Sequence, residues 1–292
     1  MNLRRLWRTS LALAIGALAL VPAMAAAAEE EKFDPSLEFS TNPYVEIMVG
    51  PLDLSINKAV IYLILASLIC ISLGLVIRGG LTMRPTKAQN VVELAYEFAE
   101  TQIARPTLSE KVFNRYFPYI ATLFLFIAVS NLISFIPLPV SHESGTFGSL
   151  PDFGLYAATA NINVTLALTL VTFIVYNYEG VRAHGPIGYI KTLIPEAPGA
   201  IKPFIFVLEI LSQLLRLVSL SVRLFANLLA GHLLIIMCAG FTVLLGNYAG
   251  VIAIPVGVFF YVFEWVLIAG LQAFIFAMLS GIYIGFAVEA PH

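Results

Sequence analysis

Five long apolar runs, at residues 59–78, 118–137, 160–178, 204–245 and 250–287, decide most of what this chain can fold into. A helix needs about 20 predominantly apolar residues to cross the hydrocarbon of a bilayer, and each run meets or nears that length. Lipid offers no solvent to satisfy exposed N–H and C=O groups, so each run must bond its own backbone as a helix. The reading is an all-α integral membrane protein of about five transmembrane helices. The last two runs exceed one crossing, so those helices are long and either tilted or extended past the bilayer. Composition agrees: 59% of the 292 residues are hydrophobic and 12% charged, where an average soluble domain carries roughly 25% charged residues.

Ahead of the first run, residues 1–28 have the three parts of a secretory signal. Arg4, Arg5 and Arg8 form a positive start, Leu11 to Val21 a short apolar core, and Ala23 to Ala28 a small-residue exit. Cleavage near Ala25 or Ala28 is expected, with an uncleaved anchor as the alternative. Residues 29–58 are acidic and should lie outside, as a periplasmic segment, leaving 59–292 as the membrane domain. Basic residues give the orientation. The loop 78–117 holds Arg78, Arg84, Lys87, Arg105, Lys111 and Arg115, the loop 138–159 holds no Lys or Arg, and the loop 179–203 holds Arg182, Lys191 and Lys202. Lys and Arg favour the cytoplasmic side, which puts the N-terminus outside and the C-terminus inside.

Between the first two runs, Val91, Val92, Ala95, Phe98, Ala99 and Gln102 share one helical face, with Glu93, Glu97 and Glu100 towards the other. This predicts an amphipathic helix, lying on the inner surface or folded against the protein itself. The two cysteines, Cys70 and Cys238, fall inside apolar runs and read as small apolar residues rather than as a disulfide or metal cluster. No metal or cofactor is implied. A net charge of −2 offers no basic surface for nucleic acid. The lipid bilayer is the first partner.

Charged residues inside spans cost roughly 2.5–3.5 kcal/mol each on insertion scales, so they point to function. The fourth run carries Glu209, Arg216, Ser219, Arg223, Asn227 and His232; the fifth carries Glu264 and Gln272 and ends near Glu289. Arg223 lies among Leu220, Val222, Leu224 and Phe225, too far from either helix end to snorkel, and its guanidinium keeps its proton. Ser219, Arg223 and Asn227 recur every four residues and line one face. Glu209 lies about 21 Å to the inner side of Arg223, and His232 about 13 Å to the outer side, at the helical rise. If Gln272 is level with Arg223 on the antiparallel fifth helix, Glu264 falls about 12 Å outward, beside His232. Together these two make a candidate proton relay from the outside; a structural His–Glu pair joining two helices is the plain alternative. Glu209 and Glu289 are candidates for an inner exit, or simple interfacial carboxylates. A proton cannot pass a fixed cation in low dielectric without a large Coulomb penalty. A path across Arg223 therefore needs a carrier from another chain.

The stretch Ser219–His232 (SLSVRLFANLLAGH) and the stretch Leu271–Phe276 (LQAFIF) resemble the paired signature helices of the a subunit of rotary ATP synthases. Pro85–Glu93 (PTKAQNVVE) resembles that family's first inner loop, and Phe117-Pro118-Tyr119 also fits. The resemblance covers approximately residues 45–289. It implies a stationary, non-catalytic subunit that passes protons through two offset half-channels to and from carboxylates on a rotor ring of c subunits. It also implies peripheral-stalk b subunits and the rest of the ATP synthase complex as partners. By the same resemblance Arg223 faces the ring, with Gln272, Asn227 and Ser219 beside it. His232 stands where some relatives carry glutamate, with Glu264 as its compensating residue, one position further from Gln272 than the family pattern. Asn161 and Asn163 resemble outer half-channel lining, although many relatives have aspartate in place of Asn161. The signal-like start favours a bacterial inner membrane, with the mitochondrial inner membrane as the alternative. Sodium in place of protons stays open, because the discriminating ligands would sit on the rotor.

Two other classes compete. A self-sufficient secondary transporter should show matching interrupted spans, and none is visible. A membrane enzyme should show a motif such as H-E-x-x-H, G-x-S-x-G or the G-x-x-x-x-G-K-[ST] phosphate loop, and the chain has none of them.

Overall fold

The computed structural model describes residues 46–49, 52–53, 55–78, 86–136, 156–192, 201–244 and 246–289. The signal-like segment 1–28, most of the N-terminal segment 29–58 and most of the loop 138–159 lie outside them. Five helices are long and apolar enough to cross a membrane, as the hydrophobic runs require. Before the first, Met48–Val49 (β1) pairs antiparallel with Leu52–Asp53 (β2), a two-residue hairpin that the apolar pattern did not announce.

Helix α1 spans Lys58–Arg78. Helix α2 (Lys87–Phe98) is capped by the Thr86 hydroxyl, which accepts from the N–H of Gln89. It widens into a π-helical stretch, Ala99–Ala104, and a last turn, Arg105–Thr107. Helix α3 spans Glu110–Ile133. A short 3₁₀ turn, Ala158–Ala160, leads to α4, Ile162–Thr192. Helix α5 runs unbroken from Lys202 to Leu244. Its 43 residues reach about 65 Å at 1.5 Å per residue, twice the hydrocarbon thickness. The fifth crossing combines α6 (Gly246–Phe263), a π-helical turn (Glu264–Ile268) and α7 (Ala269–Val288).

The first amphipathic segment packs on the protein itself with one edge only. Val92, Ala99 and Ile103 are buried, and Ala99 and Ala104 cluster with Phe117 and Ala121 of α3. Val91 and Phe98, expected on the apolar face, stay exposed.

Helix α4 breaks at Gly185, whose φ of 73° is open to glycine at little cost, and Pro186 follows. The chain after the break folds back so that the Tyr189 ring covers Gly180, where a Cβ would collide with it. The Tyr189 hydroxyl donates to Asn177 Oδ1 at 3.0 Å.

Helix α3 is the centre of the bundle. It packs on α1 and α7, while α4 touches both α5 and α7. Helices α5 and α6 lie along one another, and α5 meets α7 only sparingly. The two long crossings are therefore close in one half of the molecule and splayed in the other, with α4 between them. At the splayed end, Thr107 fits against two glycines of α7: a Cβ on Gly281 would come 2.5 Å from its Oγ1, and one on Gly285 2.7 Å from its backbone oxygen.

Backbone cannot rotate away as a side chain can. Gly285→Ala should therefore destabilise the protein by about 1–3 kcal/mol, the usual cost of overpacking. Gly74→Ala in α1, where a Cβ meets nothing within 4 Å, should leave stability unchanged or slightly raised. Thermal unfolding of the two variants in detergent checks the contrast.

Candidate functional site

The residues singled out on the two long crossings fall into three levels. At the first, His232 of α5 and Glu264 lie side by side, with His232 Nδ1 3.0 Å from Glu264 Oε1 and both side chains 2% exposed. Their equal depth agrees with the helical spacing. The same Nδ1 sits 3.1 Å from the Leu228 carbonyl one turn back, so one ring nitrogen is shared between a backbone and a carboxylate acceptor. His232 Nε2 and Glu264 Oε2 are buried and make no hydrogen bond among the described residues. The pair is lined on one side by the Phe135 ring, 5.0 Å from the imidazole.

Two local features allow this contact. Gly231 leaves the space that the carboxyl occupies; a Cβ there would overlap it. Glu264 opens the π-helical turn Glu264–Ile268, in which the N–H of Ala269 bonds to the Glu264 carbonyl. A π turn holds one residue more than an α turn. Glu264 is eight positions before Gln272, and the wide turn absorbs one of them. Its side chain thus points where the residue seven positions before Gln272 would point in a regular α-helix. This accounts for the one-residue offset from the family pattern.

The second level is set by a buried cluster that contains Leu220, Leu224, Ala273 and Phe276. It places Arg223 and Gln272 in the same layer of the bundle. Arg223 is exposed, flanked by exposed Val222 and Val218. Among the described residues it has no hydrogen bond or ion pair, and no described carboxylate neutralises it. Ser219 is exposed on the same side and Asn227 is half-buried. Gln272 is buried, and its side-chain amide makes no hydrogen bond to a described residue.

At the third level, where α5 and α7 splay apart, a cleft of 1030 Å³ opens. Glu209, Arg216 and Glu289 all line it. Arg216 Nη2 is 3.8 Å from Glu209 Oε1, and its guanidinium lies over the Tyr283 ring. Gln213 donates to Glu209 at 3.3 Å and accepts from the Tyr176 hydroxyl at 2.6 Å. His184 and Tyr189, beside the α4 break, complete the wall. A polar chain therefore runs from the cleft into the bundle.

Asn161 and Asn163 follow the turn Ala158–Ala160, whose Ala160 packs with Leu228 and Ile268 close to the first level. Asn161 caps α4, its Oδ1 accepting from the N–H of Asn163 at 2.9 Å, and the Asn163 side chain is exposed. Tyr176, Gln213, Tyr189 and His184 were not singled out from the sequence. One signal was there to find: Thr165, Thr169, Thr172 and Tyr176 recur at helical spacing, and all four are buried. The Tyr119 hydroxyl donates to Thr172 at 3.2 Å, joining that stripe to α3.

Residues 60–285 match the family model described as ATP synthase A chain. The chain belongs to this family. It is 33% identical over 266 residues to the ATP synthase subunit a of Brucella canis, covering 89% of this chain and 99% of that protein. The Brucella suis protein of the same name is equally similar, and that of Brucella ovis is 32% identical over the same length. As a member of the ATP synthase A chain family, this one crosses the membrane several times, and the matched region includes the residues of the three levels described above except Glu289.

Replacing Gly231 tests the geometry of the His232–Glu264 pair directly. Gly231→Ala should push the Glu264 carboxyl off His232 and cost about 3–5 kcal/mol, the range for breaking a buried pair. The penalty should shrink sharply in a Glu264→Ala background. A double-mutant cycle on thermal stability in detergent measures that coupling.

Proposed function

We propose that this chain is the stationary proton-channel subunit of a rotary ATP synthase, passing protons through two offset half-channels to and from carboxylates on a ring of c subunits. The observation that carries this reading is Arg223: a permanent cation on an exposed, apolar helix face, without an ion pair among the described residues. Such a group is costly in lipid. A carboxylate presented by a neighbouring subunit would neutralise it. At 4 Å and an effective dielectric of 20, that attraction is worth about 4 kcal/mol. It favours the ionised carboxylate and so helps it release its proton.

The roles follow from the three levels. His232 and Glu264 form the relay of the outer half-channel. Arg223, with Ser219, Asn227 and Gln272, forms the surface over which the rotor carboxylate passes. Glu209, Glu289 and the cleft around Arg216 form the inner exit; Asn161 and Asn163 lie at the outer edge. Because Arg223 stands between the two paths, a proton crosses only by riding the ring. A membrane potential contributes about 2.3 kcal/mol per charge per 100 mV to that transfer. The chain performs no bond chemistry itself, and nucleotide chemistry belongs to the rest of the complex, held to it by peripheral-stalk b subunits. The basic loops and the signal-like start support a bacterial inner membrane, with the N-terminus outside, residues 1–28 removed and the C-terminus inside.

Arg223→Ala should abolish coupled ATP synthesis in membrane vesicles containing the assembled complex. The expected loss is at least about a hundredfold, the scale of removing a preorganised electrostatic group. Wild-type synthesis rates from the assembled variant would overturn the reading.

A further inference from the structure

Asn131, near the C-terminus of α3, has no place in the roles above, yet it is completely buried. An amide taken out of water is costly unless its hydrogen bonds are supplied. Here they are. Its Nδ2 donates to the Ala269 carbonyl at 3.1 Å, and its Oδ1 accepts from the Thr159 hydroxyl at 2.8 Å. Its own carbonyl accepts from the Ser134 hydroxyl at 2.6 Å, and Thr159 and Ser134 are as deeply buried as Asn131 itself.

The residue that Asn131 holds is the informative one. Ala269 is the first residue after the π-helical turn, and its N–H closes that turn on Glu264. A π turn is rare and less favoured than the α-helix around it. Relaxation to α geometry would rotate Glu264 by about 100°, one helical position. Trp265, now exposed, would then swing towards Gly231 and His232. The same end of α3 also holds the imidazole side of the pair. Phe135 packs on His232, and the Phe135 carbonyl accepts from the Tyr261 hydroxyl at 2.7 Å.

We propose that Asn131 is a positioning residue: by pinning the Ala269 carbonyl it holds the wide turn in place and keeps the Glu264 carboxyl aimed at His232. This rests on the reading of His232 and Glu264 as the outer proton relay. Asn131 does not itself carry the proton; it sets the rotational phase of the helix that does.

The test uses ATP-driven proton pumping by the assembled complex in inverted membrane vesicles. Asn131→Ala should lower pumping about tenfold, the scale of losing a buried hydrogen bond. Thr159→Val, which keeps the volume and removes one donor, should lower it less, and it decides the matter if Asn131→Ala fails to assemble. Deleting Leu267 removes the extra residue of the turn and makes the helix regular while Glu264 and Gln272 stay in phase. The deletion alone should pump, and on that background Asn131→Ala should cost little. Wild-type pumping by Asn131→Ala or, where that variant does not assemble, by Thr159→Val would overturn the proposal. So would an inactive deletion, or a loss from Asn131→Ala that persists unchanged on the deletion background. Glu264→Gln and His232→Ala serve as the separate control. If they pump normally, the relay reading itself fails; if they are inactive while Asn131→Ala pumps normally, only the positioning role fails.

Discussion

A guanidinium that cannot lose its proton, set on an apolar face at the middle of a long helix, constrains everything around it. Its neighbours on that face are mostly apolar, and no carboxylate among the described residues meets it. The exposed surface beside it, built from Val218, Val222 and Ser219, is smooth and small enough for another helix to approach. At that level the other polar side chains are uncharged: Ser219, Asn227 and Gln272. Along α5 the nearest acid or histidine lies nine residues to one side of Arg223, at His232, and fourteen to the other, at Glu209, with Arg216 seven residues away on that second side. Between them lie Leu220, Leu224, Ala273 and Phe276, packed in one buried apolar cluster. On the reading proposed above, an apolar layer between the two polar ends keeps the proton paths apart, since a continuous path would dissipate the gradient.

The two ends are built on different principles. The His232–Glu264 pair is buried, close-packed and specified atom by atom: a glycine makes the space, a widened turn aims the carboxyl, and an aromatic ring closes one side. The other end is a cleft, produced by the divergence of α5 and α7 and walled by side chains from four helices. The Gly185–Pro186 break shapes it by folding Tyr189 back over Gly180. A tight pair suits a step in which single protons change hands. An open cleft suits free exchange with water.

Much of this was legible in the sequence, because hydrophobic run length and helical spacing are one-dimensional properties. The five crossings, the excess length of the last two, the shared depth of His232 and Glu264 and the stripe Ser219–Arg223–Asn227 all follow from counting. Glu209 and Glu289, placed on one side by counting alone, do line one cleft. What counting could not give depends on side-to-side packing. It offered no sign that α2 would bury its Val92 edge and leave Val91 outside. Nor could it show that Asn161 is tied up as a helix cap. Tyr176 and Gln213 belong to different helices, and their hydrogen bond needs both the register and the rotation of each.

The π turn marks the limit of the one-dimensional argument most clearly. With 3.6 residues per turn, a one-residue difference in spacing rotates a side chain by about 100°, enough to move a carboxyl from the bundle interior to the lipid. Read as a regular helix, the sequence puts Trp265 in phase with His232 and leaves Glu264 turned aside. Read with one wide turn, it puts Glu264 in phase and Trp265 outside, as the structure has it. The free-energy difference between those two helices is set by a handful of tertiary contacts, among them the space at Gly231 and the bonds to Ala269 and His232. A polar residue buried far along the chain, on α3, thereby bears on which residue of the fifth crossing meets the imidazole. Local spacing and distant packing decide that choice together.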